Sequence, residues 1–192
     1  MNVGSAMIRA FIAVEIDPQT VQEISGVLAQ LKPGLPGIRW VTPANYHFTL
    51  KFLGYIDESK IAPVADGLYR QLHPFPRFTI NAKGLGVFPD LKRPRVLWVG
   101  LGGNELAVLA SKVETALEPL GFAREKRGFT PHLTVGRWRQ FGGSGKKLAQ
   151  ELESWKHFNF GDSRVAAVIL FQSVLKPQGA IYLPLKTVPL AK

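Results

Sequence analysis

At 192 residues the chain is long enough for one domain or two fused lobes, and 46% hydrophobic with 20% charged residues suits a globular core and excludes intrinsic disorder. The absence of cysteine removes disulfides, thiolate metal sites and a cysteine nucleophile, so any chemistry falls to His, Ser, Thr or carboxylates. Lysine and arginine number 24 against 14 acidic residues, and the formal charge of +10 favours anionic partners: nucleotides, RNA or DNA.

From the N-terminus, Met7 reads as a true start, with Met1 to Ala6 as a leader and no secretory signal. No apolar run approaches the roughly 18 residues of a membrane-spanning helix, so we expect a cytoplasmic protein with no membrane partner. Met7 to Val14 is a β-prone run. Asp17-Pro18 then offers a cap and a first-turn proline for a helix to about Leu31, with Val21, Ile24, Val27, Leu28 and Leu31 on one face. After a Pro- and Gly-rich turn, Ile38 to Val41 and Tyr46 to Leu53 read as strands, followed by a helix from about Glu58 to Leu72.

Phe75 to Val87 and Arg95 to Gly100 read as strands of a hairpin-like unit around a basic loop. A helix from Asn104 to about Leu120 carries Leu106, Leu109, Val113, Leu117 and Leu120 at helical spacing and stops at Gly121. His132 to Trp138 is a strand, Gly142 to Lys147 a loop into a short helix, and Val165 to Leu175 and Ala180 to Lys186 close the chain as strands. Gly84-Leu85-Gly86 lacks the third glycine and the following helix of a dinucleotide-binding turn.

Of four histidines, two share one local pattern: His47-Phe48-Thr49-Leu50 and His132-Leu133-Thr134-Val135. On a strand, residues two apart share a face, so each His and Thr would face a cleft while Phe48, Leu50, Phe52, Leu133 and Val135 face core helices. A similar helix-then-strand order in each half of the chain suggests a diverged internal duplication around a symmetric cleft. Two imidazoles suit paired acid and base work near neutral pH, and two threonine hydroxyls can hold the oxygens of a phosphate. One histidine would draw a proton from water and the other would protonate the departing oxygen. Composition does not show which does which. No third ligand accompanies the two histidines, so neither a metal nor another cofactor is expected.

These motifs resemble the H-x-T-x signatures of the two-histidine (2H) phosphoesterases. Within them the chain is similar to the RNA 2′,3′-cyclic phosphodiesterase family, also called 2′-5′ RNA ligases. The similarity extends from Arg9-Ala10-Phe11-Ile12-Ala13-Val14 through Arg39-Trp40-Val41, Asn45 to Gly54, Gly86-Val87-Phe88-Pro89, Pro94 to Trp98 and Phe129 to Val135, to Leu170-Phe171-Gln172-Ser173. It implies an α+β fold, a single domain over residues 1–192 of two intertwined, pseudo-symmetric lobes. Their antiparallel sheets would form a V-shaped cleft with helices outside. It also implies His47 as proton donor, His132 as proton acceptor, Thr49 and Thr134 on the phosphate, and a terminal 2′-phosphate as product. The implied partner is RNA or an oligonucleotide ending in a 2′,3′-cyclic phosphate, or a nucleotide, and we expect a monomer.

Strand parity places Lys51 with His47 and Thr49, as a candidate phosphate ligand. Arg137 matches a family arginine resembling a phosphate contact, yet plain alternation turns it away from His132, so a bulge or strand end is expected near Gly136. Lys92, Arg93, Arg95, Arg124, Lys126 and Arg127 offer a positive track for an RNA tail. Of the aromatics near the motifs, Tyr46, Phe48, Phe129 and Trp98, most belong in the core by parity. His73 and His157, without a threonine partner, belong on the surface or at helix ends. Competing with hydrolysis are a binding module that uses the same cleft without turnover, and the reverse reaction, ligation to a 2′-5′ linkage by the same residues.

Overall fold

The apolar periodicities resolve, in a computed structural model that describes residues 6–126, 128–177 and 179–192, into strands and helices close to those expected. In chain order they are β1 (Met7–Glu15), α1 (Pro18–Leu31), β2 (Ile38–Trp40), β3 (His47–Asp57), α2 (Ile61–Leu72), β4 (Phe78–Phe88) and β5 (Val96–Gly102). There follow α3 (Asn104–Leu117), β6 (His132–Trp138), α4 (Gly145–Trp155), β7 (Asn159–Val165), β8 (Ala167–Lys176) and β9 (Gly179–Pro189). Of the suggested leader only Ala6 is among the described residues, and Arg127 of the suggested track lies outside them.

The strands form one curled antiparallel sheet in the order β7-β4-β5-β6-β3-β1-β8-β9, with β2 added to β6. Its two halves meet where β3 and β6 are joined by a single pairing, Phe48 opposite Leu133. Each half repeats one device. A helix links two neighbouring antiparallel strands, β1-α1-β3 and β5-α3-β6, and the second strand of each begins with a His-x-Thr motif. The C-terminal strands return to complete the first half, β8 pairing with β1 and β9 with β8.

The helices cover one face. Ile24, Val27, Leu28 and Leu31 of α1, Val64, Leu68 and Leu72 of α2, and Leu106, Leu109, Val113 and Leu117 of α3 join Ile12, Val14, Leu97, Val99 and Val135 in the main core. This burial supplies most of the driving force for folding. The opposite face carries a small buried cluster of Phe11, Ala13, Ile169 and Phe171 with Tyr182 against it. Among the described residues no helix is long and apolar enough to cross a membrane.

Two local expectations are corrected. Asp17 does not cap α1 through its side chain. Its carboxylate instead accepts the Arg164 N–H at 2.9 Å and its own N–H donates to Ser163 Oγ at 3.1 Å, tying the helix start to β7. Strand β7 itself is not evident in the sequence, because Asn159-Phe160-Gly161-Asp162-Ser163-Arg164-Val165 is mostly polar. It is an edge strand held by β4 on one side, and it contributes buried Phe160 and Val165.

Candidate active site

Phe48 and Leu133, the pair that joins the two halves, are 1% and 0% exposed. Because successive strand residues alternate in direction, His47, Thr49, His132 and Thr134 must take the other face, directly over the seam. Extending the antiparallel register by one residue sets His47 across from Thr134 and Thr49 across from His132. All four side chains are half-buried.

Both histidines are anchored identically. His47 Nδ1 lies 2.7 Å from the Asn45 carbonyl oxygen, and His132 Nδ1 lies 2.7 Å from that of Thr130. A carbonyl oxygen can only accept, so each Nδ1 carries a hydrogen and each Nε2 is left to exchange a proton. Asn45 is held in turn by β9, its side-chain amide donating to the Ala180 carbonyl at 2.7 Å. These carbonyl anchors leave no side-chain signal in the sequence.

Aromatic rings fix the imidazoles laterally. His47 packs on Phe11 and Tyr182 with centroids 4.8 and 4.9 Å away. His132 packs on Phe88 at 4.9 Å and Trp98 at 6.5 Å. Trp98 is therefore part of the cleft, an exception to the expectation that most of these aromatics are core. It lies opposite Thr134 and over Gly86, where an added Cβ would fall 2.1 Å from the indole. Tyr46 and Phe48 are buried as expected, while Phe129 is 40% exposed and packs edge-on against Phe48. Burial pushes the Tyr46 hydroxyl up to about 12, partly offset by its hydrogen bond with Ser25. A pocket of about 140 Å³ opens beside His47, lined by Phe11, Glu15, Asn45, Phe171 and Tyr182. Glu15 sits directly opposite His47 in the β1–β3 ladder.

Desolvation holds the His47 imidazole below its ordinary pKa; the hydrogen bond to the Asn45 carbonyl opposes this and the positive charge of Arg137 adds to it. Arg137 reaches the site by a bulge. Trp98 pairs with Thr134 but Leu97 with Gly136, so Val135 is the extra residue and the alternation slips by one. Arg137 then shares the face of His132 and Thr134, while Trp138 is buried beneath.

A second bulge removes Lys51. Ala13 pairs with Thr49 but Ile12 with Lys51, so Leu50 and Lys51 both turn to the helix side. Lys51 Nζ is 2.5 Å from Glu114 Oε2 on α3 and donates to the Ala123 carbonyl at 2.8 Å. It is buried there, and the expectation that it joins His47 and Thr49 at the phosphate is not met. The same slip brings Phe52, expected in the core, to the cleft face at 63% exposure, 6.2 Å from the ring of Phe11.

Two of the basic residues suggested as a track have partners within the protein. Arg124 is held by Glu118 and Thr115, and the Arg95 guanidinium donates to the Arg139 carbonyl. His73 and His157 are exposed at the ends of α2 and α4. Among the described residues no three His, Asp or Glu side chains gather as a metal-ligand set.

The seam thus brings two imidazoles with anchored Nδ1 atoms and two threonines to one face. The LigT like Phosphoesterase family model matches residues 14–98 and 101–182, and the chain belongs to that family. An Archaeoglobus fulgidus protein named RNA 2′,3′-cyclic phosphodiesterase is 36% identical over 179 residues, covering 93% of this chain and 98% of its own. A protein of the same name from Methanocaldococcus jannaschii is 35% identical over 174 residues, covering 91% and 96%. The fold agrees with a crystal structure from Thermus thermophilus, with a TM-score of 0.82 at 24% identity over 95% of this chain and 98% of that one. It agrees also with Escherichia coli LigT complexed with 3′-AMP, with a TM-score of 0.76 at 23% identity over 96% and 99%.

Proposed function

We propose that the protein is an RNA 2′,3′-cyclic phosphodiesterase that hydrolyses the cyclic end to a 2′-phosphate without a metal ion. The observation that carries this reading is the matched pair of histidines, each with Nδ1 tied to a carbonyl and with no Nε2 hydrogen bond among the described residues, on either side of the seam. The names of its relatives point to the same substrate class.

In this reading His132 Nε2 takes a proton from water as the water oxygen bonds to phosphorus. The phosphorus–O3′ bond breaks, and His47 Nε2 gives its proton to the departing O3′. The protons balance, so the two rings exchange charge states and return through solvent. Thr49 and Thr134 donate to the non-bridging oxygens, and Arg137 offsets charge that accumulates there in the transition state. Only one histidine enters as base, so the pair must begin with one ring neutral and one protonated.

Phosphorus NMR of a short RNA with a 2′,3′-cyclic phosphate, in excess EDTA, tests the reaction, its regiochemistry and its independence of metal together. Wild-type protein should give a 2′-monophosphate, and His47→Ala and His132→Ala should lose turnover while retaining affinity within about tenfold. Retained binding with no conversion by the wild type would establish a binding module instead. Conversion that stops on adding EDTA would overturn the metal-free mechanism.

A further inference from the structure

Among the described residues strand β2 pairs only with β6, and in that ladder Arg39 lies directly opposite Arg137. The register is fixed from beneath. Ile38 and Trp40, on either side of Arg39, pack against the main core, and an added Cβ on Gly136 would fall 2.4 Å from Ile38 Cδ1. With those two residues facing the helices, alternation turns Arg39 to the cleft face beside Arg137. Both arginines are exposed, and among the described residues neither is paired with a carboxylate.

Like charges directly opposite one another destabilise an antiparallel pair. The packing of Ile38 and Trp40 holds the strand in place against that repulsion. Two unpaired guanidiniums side by side are favourable when anions sit against them, since each offers a planar fork of donors to phosphate oxygens. The bulge at Val135 turns Arg137 to the face of His132 and Thr134, and Arg39 stands beside it on a separate strand. A 2′,3′-cyclic phosphate closes the 3′ end of an RNA chain. Its only covalent continuation runs through O5′ to the next phosphodiester.

We infer that Arg39 binds the phosphodiester on the 5′ side of the terminal nucleotide, so that the site discriminates RNA ends from cyclic mononucleosides. This rests on the proposed function for the identity of the end placed over the histidines. Arg39 makes no contact with the reacting phosphate, and its contribution appears in substrate affinity.

The test compares a dinucleotide ending in a 2′,3′-cyclic phosphate with a cyclic mononucleoside that lacks a 5′ phosphate, using wild type and Arg39→Ala. The ratio of kcat/KM between the two substrates should fall about tenfold in the variant, through KM, as expected for loss of one charge-assisted hydrogen bond. An unchanged ratio overturns the inference, whether both substrates suffer equally or neither does. Relief of repulsion should leave the melting temperature of Arg39→Ala at or above that of wild type. A marked drop in melting temperature would instead mark Arg39 as structural. If the wild type turns over neither substrate, the proposed function fails. Calorimetric titration with a dinucleotide carrying a terminal 2′-phosphate then decides the subsite: about tenfold weaker binding by Arg39→Ala supports it, and equal binding overturns it.

Discussion

The positive charge of Arg137 acts on the imidazole of His47, and a rate profile can read that effect. In the free protein, burial foremost, and then the charge of Arg137, hold the imidazole below its ordinary pKa, against the pull of the Asn45 carbonyl. With one ring required protonated and the other neutral, the two limbs of the rate profile report the pKa values of the pair, and neither limb by itself names the acid. One limb of kcat/KM, which reports the free enzyme, carries the lowered pKa of His47. The bound phosphodiester anion favours the charged ring and moves that limb to higher pH in kcat. Arg137→Gln should move one limb of kcat/KM to higher pH and leave the other in place. Two unmoved limbs would remove Arg137 from the electrostatics of the histidine pair. The profiles are measured on a cyclic mononucleoside between pH 5 and 9.

At the level of strands and helices, bulges decide which residues reach the cleft. Sequence alternation places His47, Thr49, His132 and Thr134 together because no bulge intervenes between each His and its Thr. It fails one residue later in both motifs, at Leu50 in β3 and at Val135 in β6, where ladder register, a property of two strands, overrides the parity of one. The resemblance identified Arg137 where parity alone would have discarded it, and parity selected Lys51 where the fold does not. Helices α1 to α3 were legible because their apolar faces are continuous, whereas β7 was hidden by an edge position that leaves polar residues in place. Lys51 instead joins β3 to α3, and through the Ala123 carbonyl to the segment leading toward His132. Lys51→Met leaves the Glu114 carboxylate buried without its cation and should cost about 3–5 kcal/mol in urea unfolding. Replacing both partners, Lys51→Met with Glu114→Leu, should recover much of that loss. A Lys51→Met protein of unaltered stability but sharply reduced kcat would restore Lys51 to the phosphate.

Of the chain's 24 lysines and arginines, two arginines stand together on the β6 side of the cleft. On the β3-β1-β8-β9 side, Phe11, Phe171 and Tyr182 pack around His47, with exposed Phe52 next to Phe11. On the β6 side the cleft carries Arg137 and Arg39, with no carboxylate paired to either among the described residues. In the proposed function an RNA end over the seam meets the rings around His47 on one hand and the guanidiniums of Arg137 and Arg39 on the other, and the guanidiniums displace counterions. For single strands each neutralised phosphate contributes a slope of about −0.7 to log affinity against log salt. A cyclic mononucleoside offers one phosphate and a longer RNA several, so kcat/KM for the RNA should fall more steeply between 50 and 200 mM salt, roughly the range over which such effects are read. Steeper decline with each added nucleotide up to a limit would count the phosphates the basic side engages. Equal slopes for all lengths would confine electrostatic recognition to the terminal phosphate and leave the remaining positive charge without a role in binding RNA.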